Sequence, residues 1–386
     1  MKQKFTLIIL AAIAIVLLVL LFFTGSTGES SPDSVQKTAS KVLENCQNNK
    51  YFLSCYQQNF SQITKNTNVG FAKQVLGELQ QKDKRVLLCH SIAHEIASAV
   101  IVKNPDQALQ LLATFDPNEC AGGYFHGIIE SMAGLNADFN LNGEEIDKFC
   151  SVMPDDYQKG SCTHILGHIV LVETDAQIDR ALDICRGVAF KKEECFSGVF
   201  MENISKANLV EHGLADAQPE WTADYALSLE EICNNYDGDI ARSCRIEMGS
   251  VYATLYNNEP GPILVACQKS GKADFSNGCY LRGVVRAAIW LDSDQQIQSL
   301  CDPFDYDLPV YQDCVAKIVD ALIKNSPDFL EKAVAYCSRM RSSSIQYCHR
   351  VLKFKANGMY SKDQIINLCR NFYLQDYKKL CETLTT

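Results

Sequence analysis

The stretch LSLEEICNNYDGDIARSCRIEMGSVYATL, Leu227 to Leu255, contains the unit from which most of the chain is built. An apolar-periodic segment ends on Cys233, a short polar connection follows, and Cys244 opens a second apolar-periodic segment. In both segments apolar residues recur three and four apart without sustained alternation, so both read as helices. The design returns elsewhere. EEIDKFC, DRALDIC, IQSLC, KAVAYC and QIINLC end on a first cysteine; CFSGVFMENI, CYLRGVVRAAIW and CVAKIVDALI open on a second. The pairs are Cys46 with Cys55, Cys150 with Cys162, Cys185 with Cys195, Cys233 with Cys244, Cys267 with Cys279, Cys301 with Cys314, Cys337 with Cys348, and Cys369 with Cys381.

From Cys233 the first cysteines step by 34, 34, 36 and 32 residues, and Cys150 to Cys185 is 35. A repeat of this length made of helix A, connection and helix B is the signature of an α-solenoid. It resembles tetratricopeptide-type repeats in length and two-helix design but lacks their Trp, Leu, Gly and Tyr signature, so the resemblance implies an architecture alone. The expected fold is all-α, a solenoid of about nine disulfide-stapled helix–turn–helix repeats preceded by one transmembrane helix.

All 18 cysteines are assigned to disulfides. The CxxC spacing of zinc ribbons occurs nowhere, and an even, high count in an exported chain reads as cross-links. Closing each A-to-B connection is worth about 2–3 kcal/mol in the chain-entropy model. Cys89 and Cys120 are left over. Each opens a B helix without an A-helix partner, and neighbouring B helices lie about 10 Å apart, so a bridge between those two is expected.

Export is argued from the N-terminus. Lys2 and Lys4 precede an uncharged run, Phe5 to Phe23, long enough as a helix to span about 28 Å. Signal-peptide cores are shorter, so residues 5–23 are read as an uncleaved signal-anchor in the cell membrane. Residues 1–4 then stay in the cytoplasm and the main domain lies outside. The chain next divides into a tether, 24–37, N-terminal repeats, 38–204, an insertion or lid, 205–226, and C-terminal repeats, 227–386. The insertion accounts for the long 48-residue step from Cys185 to Cys233 and contains His212 and Trp221. A net charge of −10 over 386 residues argues against nucleic acid as partner.

Five of the seven histidines fall between Cys89 and Glu173. His90 and His94 are four apart, as are His164 and His168, and His126 and Glu130 repeat the spacing with a carboxylate. On a helix such pairs share one face. Aligned on their opening cysteines, His94, His126 and His168 come to a common level, with His90 and His164 one turn earlier. Imidazole and carboxylate form the ligand set of zinc, iron, manganese or copper. His94, His126 and His168 are therefore candidate principal ligands, and His90, His164 and Glu130 candidate further ligands or their supports. Glu95 and Glu202 are candidate catalytic bases. The dipeptide His94-Glu95 resembles those that HEAT-type hydroxylases place around two irons; it is the one such dipeptide here. HExxH is absent.

Glycine recurs early in B helices, at Gly122, Gly123, Gly127, Gly167, Gly198, Gly249 and Gly283. Each costs about 1 kcal/mol against alanine, so close helix packing or a close ligand must offset it. Arg282 and Arg286, also four apart, are candidate substrate-binding residues for a carboxylate or phosphate; the competing reading pairs them with Glu247 and Asp320 on adjacent repeats. Two functions follow: a metal-dependent enzyme or metal-handling protein, or an exported scaffold holding a protein or peptide in the solenoid groove.

Overall fold

The computed structural model describes residues 32–385, apart from 50–51, 87–88, 115–118, 136–141, 207–208, 210–218, 270, 292–293, 305–306, 326–328, 341, 361 and 373. The expected membrane anchor, residues 5–23, lies outside the described residues. No helix among the described residues is long and apolar enough to cross a membrane.

Among the described residues, helices follow one another as ten hairpins, against the nine or so expected. They are α1 (Pro32–Cys46) with α2 (Phe52–Asn66), α3 (Val69–Lys82) with α4 (His90–Lys103), and α5 (Ala108–Thr114) with α6 (Gly123–Leu135). Next come α7 (Gly143–Cys150) with α8 (Asp156–Glu173), α9 (Ile178–Arg186) with α10 (Lys192–Ser205), and α11 (Ala223–Asn234) with α12 (Gly238–Leu255). The last four are α13 (Pro260–Gln268) with α14 (Ala273–Trp290), α15 (Asp294–Gln298) with α16 (Leu308–Asn325), α17 (Phe329–Ser338) with α18 (Ser342–Met359), and α19 (Lys362–Arg370) with α20 (Gln375–Glu382). No strand occurs among the described residues.

The first described helix begins at Pro32, inside the stretch read as tether. Proline suits a first helical turn, whose N–H groups have no helical partner, and Val35, Ala39, Val42 and Cys46 then bury one face. Several connections end in side-chain caps. Asn142, Asp155 and Thr222 accept from the main-chain N–H groups of Glu145, Gln158 and Tyr225. Such caps satisfy helix-start donors that would otherwise be orphaned.

The A helices bury a single stripe, as α9 does with Ala181, Leu182 and Cys185. The B helices are packed on more sides and form the inner layer; α8 buries ten of its eighteen residues. Eight disulfides close hairpins, and the ninth joins Cys89 to Cys120 across successive hairpins, with Cα atoms 5.1 Å apart. No cysteine among the described residues is free.

The stack also curls back on itself. Helix α16 packs against the turn Glu119–Gly122, and Lys324 Nζ donates to Tyr157 Oη on α8 at 3.1 Å. Apolar side chains fall into two cores, one from Val35 to Ile128 and one from Phe125 to Leu384. They meet at α6, which contributes to both.

Candidate functional site

The glycines set the spacing of the inner layer. A Cβ on Gly127 would collide with the main-chain carbonyl of His94, one on Gly198 with that of His164, and one on Gly249 with that of Cys279. These helices touch backbone to backbone, so close packing is the reason for the glycines. The tight contacts come in pairs, α4 with α6, α8 with α10, and α12 with α14. Each seats a close polar pair that includes a glutamate. His94 Nε2 lies 2.6 Å from Glu130 Oε2, His168 Nδ1 lies 3.2 Å from Glu202 Oε2, and Arg282 Nη2 lies 2.9 Å from Glu247 Oε2.

Helices α6 and α8 meet where the two cores join, and imidazole rings gather there. Ring centroids of His126 and His164 are 6.0 Å apart, those of His126 and His168 5.8 Å, and those of His164 and His168 5.0 Å. His90 sits edge-on to His126 at 4.7 Å. The alignment thus brings His126 and His168 together as expected. His94 is hydrogen-bonded to Glu130, and His164 joins His126 and His168. Glu95 shares α4 with His94 but points about 100° around the helix from it.

His164 and His168 meet through their Nε2 atoms at 3.2 Å. The far side of each ring is held by an acceptor. Glu202, 1 % exposed, faces His168 Nδ1 with one oxygen and accepts the Leu209 N–H at 3.0 Å with the other. A carboxylate only accepts, so His168 donates from Nδ1. The main chain of Glu194 lies beside His164 as an acceptor that favours its charged form. With both rings neutral the two Nε2 atoms present lone pairs to each other, and a proton between them makes the contact an N–H···N hydrogen bond. Glu202, a candidate base, is thus in hydrogen-bond contact with His168.

Burial first, then the charges of His90, His168, His164 and His94, hold His126 well below the usual imidazole range. Burial, His168 and Arg282 do the same to His164, against the Glu194 hydrogen bond. Neutral imidazole is the metal-binding form. Around a tetrahedral ion, imidazole nitrogens at 2.0–2.1 Å lie about 3.3 Å from one another and ring centres roughly 5 Å apart. The His164–His168 contact meets both figures; His126 stands somewhat wider. Among the described residues no three His, Cys, Asp or Glu side chains are already drawn together as a ligand set, so His126 would have to swing inward to complete one.

Beyond Glu202 the polar seam continues. Ser197 Oγ donates to Glu247 Oε1 at 2.7 Å, and Arg282 reaches Met201 Sδ at 3.5 Å. The Arg282–Glu247 half of the salt-bridge reading is therefore present. Arg286 instead lies with its guanidinium 5.1 Å from the ring centre of Trp221. His212 and half of the insertion lie outside the described residues. Residues missed in sequence are Ser197 and Glu194, the latter acting through its main chain, which leaves no side-chain signal. No family model, curated protein or solved structure matches the chain.

Proposed function

We propose that the chain binds a divalent transition-metal ion, zinc, iron, manganese or copper, on its inner face. His164 and His168 would hold it through Nε2 and His126 would supply the third imidazole. The observation that carries this reading is the 3.2 Å approach of two Nε2 atoms, with the opposite nitrogen of His168 held by Glu202. Two facing lone pairs repel unless a cation or proton sits between them. Carboxylate and carbonyl groups behind metal-bound histidines are the usual means of fixing tautomer and ring orientation.

Three imidazoles leave a coordination position for water or substrate, and a bound ion there supplies Lewis acidity or an activated water. The protein's own contribution is to favour neutral rings at His126 and His164, to fix His168 through Glu202, and to wall the site with closely packed helices. We assign metal-dependent catalysis or metal handling on this basis. The setting we propose is extracytoplasmic, with residues 5–23 as a membrane anchor; nine disulfides fit an oxidising compartment.

The test is elemental analysis of untagged protein. One ion per chain is expected, lost in a His126→Ala/His168→Ala variant, with affinity falling about 10–100-fold in Glu202→Gln. Metal-free wild type that fails to take up any of the four ions, with stability unaltered by the double substitution, refutes it. That result favours the competing reading, a scaffold holding a peptide or protein along the inner face.

A further inference from the structure

We propose that Arg286, together with Arg282, holds the oxyanion of a small carboxylate- or phosphate-bearing molecule beside the histidine cluster. The inference deepens the metal reading and rests on it for the chemistry that follows binding. Arg282 and Arg286 lie one turn apart on the same face of α14. Arg282 is matched by Glu247 at 2.9 Å. Arg286 has no carboxylate partner among the described residues; its one described contact is the Trp221 ring. Burial and the charge of Arg282 both disfavour its cationic form.

A guanidinium stays protonated in proteins, so a half-buried one without a counter-charge is costly until an anion arrives. Stacking on an aromatic face offsets only part of that cost and leaves the N–H edge of the fork open. Arg282 adds a second unused donor, since its Nε is buried without a hydrogen-bond partner among the described residues. Two forks on one face suit a planar or tetrahedral oxyanion.

The position relative to the imidazoles gives the site its purpose. Arg282 touches Met201, the residue before Glu202, and its charge is felt at His164. An oxyanion held here would extend the rest of its molecule toward His164 and His168. The substrate class is accordingly a small anion, with its reacting group one side chain's length from the anchoring charge.

The experiment is calorimetric titration of the full oxidised chain, metal-loaded and metal-stripped, with inorganic phosphate and with malonate. Saturable binding of either is expected in both forms, weakened at least tenfold by Arg286→Gln and strengthened by Glu247→Gln, which frees Arg282. Which probe binds more tightly separates phosphate from carboxylate. Arg286→Lys keeps the charge without the fork and is expected to fall between, which guards against a folding artefact in Arg286→Gln. No saturable binding, or binding indifferent to Arg286→Gln and Arg286→Lys, overturns the proposal. Metal content should be unaltered in both Arg286 variants. Oxyanion binding by a chain that takes up no metal refutes the metal reading and leaves the arginine site standing.

Discussion

Gly198→Ala tests the packing that assembles the site. Gly198 is on α10, against α8. An alanine Cβ there falls well inside 3.0 Å of the His164 carbonyl oxygen and at 3.0 Å from Gly167 Cα, whereas ordinary contact begins at 3.4 Å. Main-chain atoms cannot rotate away, so the helices must part by roughly 1 Å, an overpacking strain that costs about 1–3 kcal/mol in close-packed interiors. Alanine returns about 1 kcal/mol of helix propensity. Taking the upper end of the strain, because the obstacle is backbone, the net loss is about 2 kcal/mol. Gly77→Ala in α3 is the control, since a Cβ there meets nothing within 4 Å. It is expected to gain about 0.5–1 kcal/mol. Urea unfolding of the oxidised chains measures both, and the difference between them, about 3 kcal/mol, isolates the strain from propensity. Parting α8 from α10 also stretches the His168–Glu202 contact, so metal affinity should fall in Gly198→Ala and hold in Gly77→Ala. A Gly198→Ala chain as stable as wild type would refute the backbone-to-backbone packing on which the site depends.

Two further perturbations probe other joints. Removing the Cys89–Cys120 bridge by Cys89→Ser/Cys120→Ser opens a loop of 31 residues, worth about 3.7 kcal/mol by chain entropy, against about 2.8 for the 12-residue Cys369–Cys381 loop. Urea midpoints should follow that order, and only the first variant should lose metal, because that bridge joins α4 to α6. The acid limb of stability should report Asp83, whose carboxyl is held down at about 2 by hydrogen bonds from Arg85, against its burial and with help from Tyr56. A depressed carboxylate stabilises above its unfolded pKa, near 3.8, and the benefit, on the order of 2 kcal/mol, fades as pH falls from about 4 to about 2. Asp83→Asn should flatten that limb in a urea-midpoint series; an unchanged slope would rule the group out.

The sequence by itself determined the module and its cross-links. Three-and-four apolar spacing can be satisfied only by helices, and a cysteine at the end of A and the start of B lies at the one point where hairpin partners meet. By elimination the remaining pair, Cys89 and Cys120, had to reach across hairpins. The tether boundary was misjudged because Pro32 to Gln36 is too polar to reveal the stripe that Val35 begins. What only the tertiary structure decided is which imidazoles face one another. Aligning hairpins on their cysteines treats every B–B contact as equal, but glycine against a carbonyl makes alternate contacts tight. The tight contact of α4 with α6 gives His94 to Glu130, and that of α8 with α10 fixes His168 on Glu202. The looser meeting of α6 with α8 leaves the room that His126, His164 and His168 occupy. That alternation arises from backbone distances between helices remote in sequence, which no spacing along the chain encodes.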